Sequence, residues 1–191
     1  MAEPIDNRVF VLILQHPQER RERLATAPLV GAALRNAKLV AGLSWPGLSR
    51  VAGESAEPKR WAALYLGAAR PEAAARREFS VLDRHGKTVA DPSGIVRGLR
   101  GIVLLDGTWS QAKTLWWRNP WLLKLHRIVL DPPRPARLGR LRREPRSDAL
   151  STIEAAALAL RHLEPGPQAS DALIGALEQM MAAAVRRPGP R

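Results

Sequence analysis

Residues 101–121 read GIVLLDGTWSQAKTLWWRNPW and predict a strand, a turn and a helix in direct succession. The apolar run that ends at Leu105 is typical of a strand buried on both faces of a sheet. Asp106-Gly107 is a turn signal, and Thr108 is placed to cap a helix that Asn119-Pro120 ends. A buried strand followed at once by a helix is the unit from which α/β folds are built.

The same alternation continues on both sides of this segment. We predict strands at Val9–Leu14, Lys38–Leu43, Trp61–Leu66, Ile102–Leu105 and His126–Leu130, and helices at Leu29–Arg35, Ser110–Arg118, Ser151–Leu163 and Asp171–Val185. The turn residues Asp83-Arg84-His85-Gly86 predict a small hairpin or an elaborated loop within Val81–Val89. The sequence therefore predicts an α/β fold with a mostly parallel sheet flanked by helices.

Three segments lack a clear pattern of strand or helix. Ser44–Pro58, with scattered Gly, Ser and Pro, predicts a loop, and the Pro- and Arg-rich Asp131–Ser147 predicts an exposed connection. Gly67–Arg77 is rich in Ala and Arg and fits either a helix or a mobile loop.

The length and composition fit one domain. A chain of 191 residues with 46% apolar and 25% charged residues can bury a full core. We expect residues 1–185 to form this domain and residues 186–191 to be a disordered tail. The absence of cysteine excludes disulfides and thiolate metal sites, and the scattered histidines give no reason to expect a metal. The early apolar run Val9–Leu14 is too short for a signal peptide or a membrane span, so we expect a cytoplasmic protein without membrane contact.

The charge balance favours a partner that carries phosphate. Thirty Lys and Arg against 18 Asp and Glu give a net charge of +12, and guanidinium groups pair bidentately with phosphate. Excess arginine also occurs in proteins without such a partner, so charge alone leaves nucleic acid open. The densest basic cluster suits either a solvated loop face or an RNA backbone contact; it consists of Arg134, Arg137, Arg140, Arg142, Arg143 and Arg146.

Asp106 is the candidate catalytic residue. It follows a buried strand, and in open α/β sheets ligands bind beyond the carboxyl ends of the strands. The residue also fits a structural turn that supports the helix N-terminus, and local structure alone favours that interpretation. Ser151 and Glu154 fit a capping box, so a cap and a ligand contact both stay open for Ser151-Thr152.

The tryptophans of the central helix have helical spacing. Trp109, Ala112, Lys113, Trp116 and Trp117 follow this spacing, which favours core packing over stacking on nucleobases. We therefore expect Trp116 and Trp117 in the core and regard Trp109, next to the turn, as the exception.

Several ordered blocks resemble the DTW-domain family, whose name comes from the motif Asp-x-Thr-Trp. The blocks are Gln15-His16-Pro17-Gln18-Glu19 with Thr26-Ala27, Leu105-Asp106-Gly107-Thr108-Trp109-Ser110-Gln111-Ala112-Lys113, Arg118-Asn119-Pro120-Trp121-Leu122, Leu141-Arg142-Arg143-Glu144-Pro145 and Leu150-Ser151-Thr152-Ile153-Glu154-Ala155. The resemblance covers nearly the whole chain in order.

This resemblance implies a SPOUT-like fold with a C-terminal trefoil knot, a rare exception to unknotted topology. It implies S-adenosylmethionine held by loops at strand ends near the knot, with the cofactor-binding residues Leu66, Gly67, Leu105, Gly107, Thr108, Trp109, Leu150, Ser151 and Thr152. It also implies tRNA as the partner, with Arg134, Arg137, Arg140, Arg142, Arg143 and Lys113 as RNA-binding residues. Arg142 and Arg143 match the basic block of the family.

The implied reaction transfers the 3-amino-3-carboxypropyl group of S-adenosylmethionine to N3 of a tRNA uridine and releases methylthioadenosine. The proton on N3 must leave, so a carboxylate beside the sulfonium is the expected helper and Asp106 is the candidate general base. Because a helix N-terminus favours a charged carboxylate, Asp106 fits a second role, which is to orient the donor. The sequence leaves both roles open.

The chain departs from the family in two places. Many DTW proteins begin with a cysteine-rich segment that resembles a zinc-binding module, whereas this chain has no cysteine. The stretch Arg137-Leu138-Gly139-Arg140 also lacks a tyrosine that is frequent there. Both departures concern how tRNA is held more than they concern the cofactor site.

Two other functions stay open at this stage. A SPOUT-type RNA methyltransferase would use the same fold and cofactor but transfer a methyl group. A non-catalytic RNA-binding protein would need only the basic face, and binding alone would not require Asp106, Gly107 and Thr108. The oligomeric state, the tRNA species and the target position do not follow from the sequence.

Overall fold

The computed structural model describes residues 3–22, 25–64, 78–131 and 150–186. Within these ranges the strands are β1 (Phe10–Gln15), β2 (Ala37–Ala41), β3 (Trp61–Leu64), β4 (Phe79–Leu82), β5 (Gly101–Asp106) and β6 (His126–Leu130). The helices are α1 (Ala27–Ala33), α2 (Leu48–Ala52), α3 (Ser93–Gly98), α4 (Trp109–Arg118), α5 (Thr152–Leu163) and α6 (Gln168–Arg186). Short 3-10 helices lie at Pro17–Arg21, Pro58–Arg60 and Pro120–Lys124.

The described strands belong to one sheet in the order β2-β1-β5-β3-β6-β4. Neighbours pair in parallel except for β4, which pairs antiparallel with β6 at one edge. The register places Gln15, the last residue of β1, beside Asp106, the last residue of β5. The predicted α/β fold with a mostly parallel sheet is therefore confirmed, and the carboxyl ends of β1 and β5 lie side by side.

Helices cover both faces of the sheet because successive strand residues point to opposite sides. On one face, Ile13 and Ile102 pack in a core cluster with residues of α1, α5 and α6. On the other face, Leu14 and Val103 pack with α2, α4 and the segment after α4. Burial on both faces explains why the central strands are continuous apolar runs instead of alternating patterns.

Most predicted elements are confirmed with small shifts in their ends. His126–Leu130 matches β6 as predicted, and β1, β5, α4 and α5 begin or end within one residue of the prediction. The predicted strand Lys38–Leu43 is displaced by one residue at its start and two at its end, and α6 begins three residues before Asp171.

The prediction of a loop over Ser44–Pro58 was wrong in its middle, where α2 forms. Leu48, Val51 and Ala52 of this short helix are buried against the second face of the sheet. Tertiary burial of three apolar side chains therefore overrides the weak local helix signal.

The predicted hairpin in Val81–Val89 is closed by a bridge between Leu82 and Thr88, around a turn at Asp83–Gly86. The antiparallel edge strand β4 (Phe79–Leu82), which leads into this turn, was not predicted from the sequence. The short helix α3 (Ser93–Gly98) was not predicted either.

Some predictions fall on residues outside the described ranges. These are the end of the strand predicted to reach Leu66, the segment Gly67–Arg77, most of the connection Asp131–Ser147, and residues 187–191 of the predicted tail. Arg186 is described and ends α6. Within the described part of the chain, no helix has the length and apolar character needed to cross a membrane.

Candidate active site at the carboxyl edge of the sheet

Asp106 is a buried carboxylate, with 7% of its surface exposed. Its Oδ2 accepts a hydrogen bond from Nε2 of Gln15 at 2.9 Å, and its Oδ1 accepts one from the hydroxyl of Thr152. Each carboxylate oxygen can accept a second hydrogen bond, so the site can still receive a ligand donor. The two bonds fix the orientation of the carboxylate between β1 and the start of α5.

The partners that hold Asp106 are uncharged. Among the described residues, no Lys or Arg nitrogen lies within 4.0 Å of its carboxylate. A buried carboxylate without a cationic partner is costly, because it has lost most of its hydration without gaining a counter-charge. Within the described part of the chain, Asp106 is therefore held by hydrogen bonds from uncharged groups.

Gly107 provides the close turn from β5 into α4. A Cβ atom on this residue would lie 2.8 Å from Cβ of Gln111 and 3.4 Å from Cβ of His16. The backbone of His16 also donates to the carbonyl of Asp106 at 2.9 Å. The segment after β1 and the turn after β5 are thus packed too closely for a side chain at position 107.

Thr108 caps α4, as the sequence predicts. Its hydroxyl accepts from the backbone N–H of Gln111, and its own N–H donates to Oε1 of Gln111 at 2.6 Å. Nε2 of Gln111 donates to Oε1 of Gln18, which follows β1. This reciprocal cap fixes the start of α4 relative to Asp106.

The start of α5 is fixed in a similar way. The carboxylate of Glu154 accepts from the N–H of Ser151 at 3.1 Å and from its hydroxyl at 2.6 Å, which confirms the predicted capping role of Ser151. The buried hydroxyl of Thr26 accepts from the N–H of Ile153. These contacts hold Thr152 where its hydroxyl reaches Asp106.

Asn119, at the end of α4, is a fully buried polar residue. Nδ2 of Asn119 donates to the carbonyls of Leu43 and Leu115, and its Oδ1 accepts from the N–H of Trp45 and from Nε1 of Trp121. The family block around Asn119 and Trp121 therefore positions α4 on the sheet and lies away from the carboxylate.

The structure brings together a subset of the predicted site residues. Asp106, Gly107, Thr108, Ser151 and Thr152 meet at the carboxyl edge of β5 through the contacts above. Leu105 and Leu150 are half-buried beside them in the chain, and Lys113 is exposed on α4. Trp109 is exposed at the start of α4. The other predicted residues lie outside the described ranges; they are Leu66, Gly67, Arg134, Arg137, Arg140, Arg142 and Arg143.

The prediction that Trp117 lies in the core was wrong, because 74% of its surface is exposed. Trp116 is half-buried against the second core face, in agreement with the prediction, and the Arg127 guanidinium lies 5.6 Å from its ring centroid. Trp109, expected as the exception, is 46% exposed. Helical spacing placed these residues on α4 but did not settle which side of the helix faces the sheet.

Gln15 is the site residue that sequence reasoning did not assign. A polar side chain that is only 3% exposed at the end of an apolar strand is a signal, because the neighbouring parallel strand ends there too. Finding it required the pairing of β1 with β5, which a single sequence does not reveal.

The surface also carries a cavity of about 440 Å³ at the opposite edge of the sheet, near the amino ends of β1 and β3. Its lining residues include Arg8, Arg60, Arg100, Glu57 and Trp61. None of the described residues that line this cavity is a predicted site residue. Within the described ranges, no group of three His, Asp or Glu side chains is placed to hold a metal ion.

Comparisons with known proteins identify the family of this chain. The DTW domain model matches residues 1–185. The chain is 31% identical over 186 residues to tRNA-uridine aminocarboxypropyltransferase 2 of Macaca fascicularis, and 31% identical over 182 residues to the protein of the same name in Mus musculus. Each match covers 94% of this chain and 56% of the relative, so the chain spans about half the length of these relatives. No solved structure matches the chain significantly. Because the domain model covers nearly all of its length, the chain belongs to the DTW-domain family.

Proposed function

We propose that this protein transfers the 3-amino-3-carboxypropyl group of S-adenosylmethionine to N3 of a uridine in tRNA. The observation that carries the proposal is Asp106, a buried carboxylate held by neutral partners at the carboxyl end of a central strand. The names of the two relatives, both tRNA-uridine aminocarboxypropyltransferases, support the same reaction.

The proposed chemistry is a displacement at the methylene carbon next to sulfur. The bond from uridine N3 to this carbon forms while the carbon–sulfur bond breaks, and methylthioadenosine leaves with the electron pair of that bond. The N3 proton passes to a base. Asp106 fits two roles, either as this base or as the group that orients the cationic donor, and each role uses the free lone pairs of its oxygens.

The donor is proposed to bind where β5 and α5 meet. On one side of Asp106 in the chain lies Leu105 of β5, and on the other lie Gly107, Thr108 and Trp109. A second segment, Leu150-Ser151-Thr152, leads into α5 and contacts Asp106 through Thr152. Leu66 and Gly67 follow β3, which pairs directly with β5. The donor carries a sulfonium and an ammonium group, and a carboxylate at position 106 can attract such a cation.

The tRNA is proposed to bind beside this edge through Lys113 and the arginine cluster. Lys113 is exposed on α4, one helical turn beyond Trp109. Arg134, Arg137, Arg140, Arg142 and Arg143 belong to the segment that leaves the carboxyl end of β6 and returns at Leu150, two residues before Thr152, whose hydroxyl contacts Asp106. Guanidinium groups on that segment would be within reach of the phosphates around a bound uridine.

We also propose the finer fold that the family resemblance implies, which is a single SPOUT-like domain over residues 1–185 with a C-terminal trefoil knot. The two connections that follow β3 and β6 support the knot. Both leave the sheet at its carboxyl edge, which is also where α5 begins. A knot requires one such connection to pass through the other. An experimental structure that traces residues 65–77 and 132–149 would decide it. We also propose a cytoplasmic location, with which a tRNA substrate is compatible.

Mass spectrometry tests the proposed function directly. Purified protein, unmodified tRNA and S-adenosylmethionine should yield a tRNA that carries an aminocarboxypropyl group, together with methylthioadenosine. Formation of adenosylhomocysteine and a methylated nucleotide would instead identify an RNA methyltransferase. Binding of tRNA without any change in its mass, across a full set of cellular tRNAs, would identify a non-catalytic RNA-binding protein.

A further inference from the structure

Helix α4 carries a stripe of exposed side chains that the proposed chemistry does not use in full. Trp109, Lys113 and Trp117 are spaced at i, i+4 and i+8 and lie on one side of the helix. All three are exposed, and Trp117 has 74% of its surface open. We call these three residues the tryptophan stripe.

The core of the protein does not need the stripe. Leu115, opposite the stripe, is fully buried in the core cluster of the second face, Ala112 is also buried, and Trp116 is half-buried against that cluster. Among the described residues, Trp117 is the most exposed of the large apolar side chains. A large aromatic surface left in water on a packed helix indicates a contact with a partner.

We infer that the tryptophan stripe stacks on unpaired nucleotides beside the target uridine, while Lys113 contacts their phosphates. This inference rests on the proposed function and adds to it the surface and the mode of RNA recognition. Aromatic side chains with a cation between them are a common arrangement for single-stranded nucleic acid, because each base offers a flat face.

The position of the stripe fits this role. Trp109 lies three residues after Asp106, and α4 leads away from the carboxylate. Eight residues of helix span about 12 Å, which is the length of about three to four stacked bases. Nucleotides that follow α4 from the target uridine would therefore meet Trp109 first and Trp117 last.

Charge favours RNA over a second copy of this chain as the partner. A twofold contact through the stripe would bring Lys113 of one copy close to Lys113 of the other, between two proteins that each carry a net charge of +12. The same charge attracts a polyanion. The stripe is therefore complementary to RNA and repels its own copy.

The test compares Trp117→Ala, Trp117→Phe and Trp117→Leu in binding to the unmodified tRNA transcript that the wild-type protein modifies. Trp117→Ala should raise the Kd by about tenfold or more, since one stacked base is lost. Phenylalanine should keep most of the affinity because it retains an aromatic face, whereas leucine should resemble alanine. Thermal unfolding checks that all variants are folded, as expected for a position exposed to solvent.

Salt dependence separates stacking from charge. Trp117→Ala should weaken binding equally at all salt concentrations, whereas Lys113→Ala should reduce the slope of log K against log salt by about 0.7. Lys87→Ala, a change at an exposed lysine of the β4 hairpin, is the matched control and should leave the slope unchanged.

Two results of the binding measurements would overturn the inference. One is an unchanged Kd for Trp117→Ala, and the other is full affinity for Trp117→Leu, which would mean that apolar area and not an aromatic face is needed. If light scattering showed a wild-type dimer that Trp117→Ala disrupts without loss of tRNA affinity, the stripe would be a self-association surface and the inference would fail. These failures leave the proposed function intact when wild-type protein still modifies tRNA; a wild type that does not modify or bind tRNA refutes the proposed function itself.

Discussion

The hydroxyl of Thr152 donates a hydrogen bond to the carboxylate of Asp106, although the two residues are 46 positions apart in the chain. This contact joins the start of α5 to the end of β5. Because Asp106 is buried and has Gln15 as its other partner, the Thr152 hydroxyl supplies half of the hydrogen bonds that the described residues give to its carboxylate.

Thr152→Val should therefore destabilise the protein and weaken the site. Valine has the shape of threonine but leaves one oxygen of a buried charge without its donor, which costs about 1–3 kcal/mol. Urea unfolding and the KM for S-adenosylmethionine measure the two effects. Thr152→Ser keeps the hydroxyl and should remain near wild type on both measures; equal behaviour of the two variants would show that the hydrogen bond has no role.

Asp106→Asn should lower the rate of aminocarboxypropyl transfer by about 100-fold or more, the range expected for loss of a general base. Calorimetric measurement of S-adenosylmethionine binding distinguishes the two roles proposed for Asp106. If Asp106 is the base, the variant should bind the donor with nearly wild-type affinity and show a flattened pH profile of kcat. If Asp106 orients the donor, the variant should lose much of its affinity for the donor. Wild-type activity in the purified variant would exclude both roles.

The sequence predicted those parts of the site that depend on local structure. These parts are the strand predicted to end at Leu105, the Thr108 cap and the Ser151–Glu154 capping box, which follow from residues close together in the chain. Such signals need only short-range hydrogen bonds and burial patterns.

The parts that sequence reasoning missed depend on contacts between distant segments. Gln15 reaches Asp106 only because β1 pairs with β5, and α2 forms because the sheet buries its apolar side. Trp117 was misplaced because spacing gives the relative angles of side chains around a helix but not which angle faces the sheet. A polar residue after an apolar run marks Gln15 in the local sequence, but the strand that supplies its partner is set by the pairing of distant segments.

Gly107→Ala should destabilise the turn between β5 and α4. The added Cβ would approach Cβ of Gln111 to 2.8 Å, and overpacking of this kind costs about 1–3 kcal/mol. Displacement of Gln111 would also disturb the Thr108 cap, so transfer activity should fall as well. Gly175→Ala is the matched control, because no atom lies within 4 Å of its added Cβ in the interior of α6, and it should gain about 0.5–1 kcal/mol. Equal melting temperatures for the two variants would contradict this reading of the turn.

The double substitution Arg142→Ala with Arg143→Ala should weaken tRNA binding and reduce its dependence on salt. If both side chains contact phosphates, the slope of log K against log salt should fall by about 1.4 to 1.8. The paired variant Arg142→Lys with Arg143→Lys keeps both charges and should retain most of the slope. A slope unchanged by the alanine substitutions would place the arginines in a solvated loop face without RNA contact.

The pH dependence of stability should contain a contribution from His162 of α5, whose side chain is 32% exposed. Its Nε2 lies 3.8 Å from Oε2 of Glu78, and its ring stacks on Phe79 with centroids 4.7 Å apart. Burial lowers the pKa of His162 below its ordinary value, Glu78 opposes this shift, and Arg161 adds to it. The unfolded chain therefore takes up a proton at a higher pH than the folded protein does, and stability from neutral His162 is complete above about pH 6.5. It is lost as the pH falls from there through the folded pKa.

Urea unfolding between pH 8 and pH 5 should show this loss, and His162→Gln should reduce it. His85→Gln, at an exposed position of the β4 hairpin, should keep the wild-type profile. If His162→Gln kept it as well, the titration of this histidine would have no part in acid destabilisation.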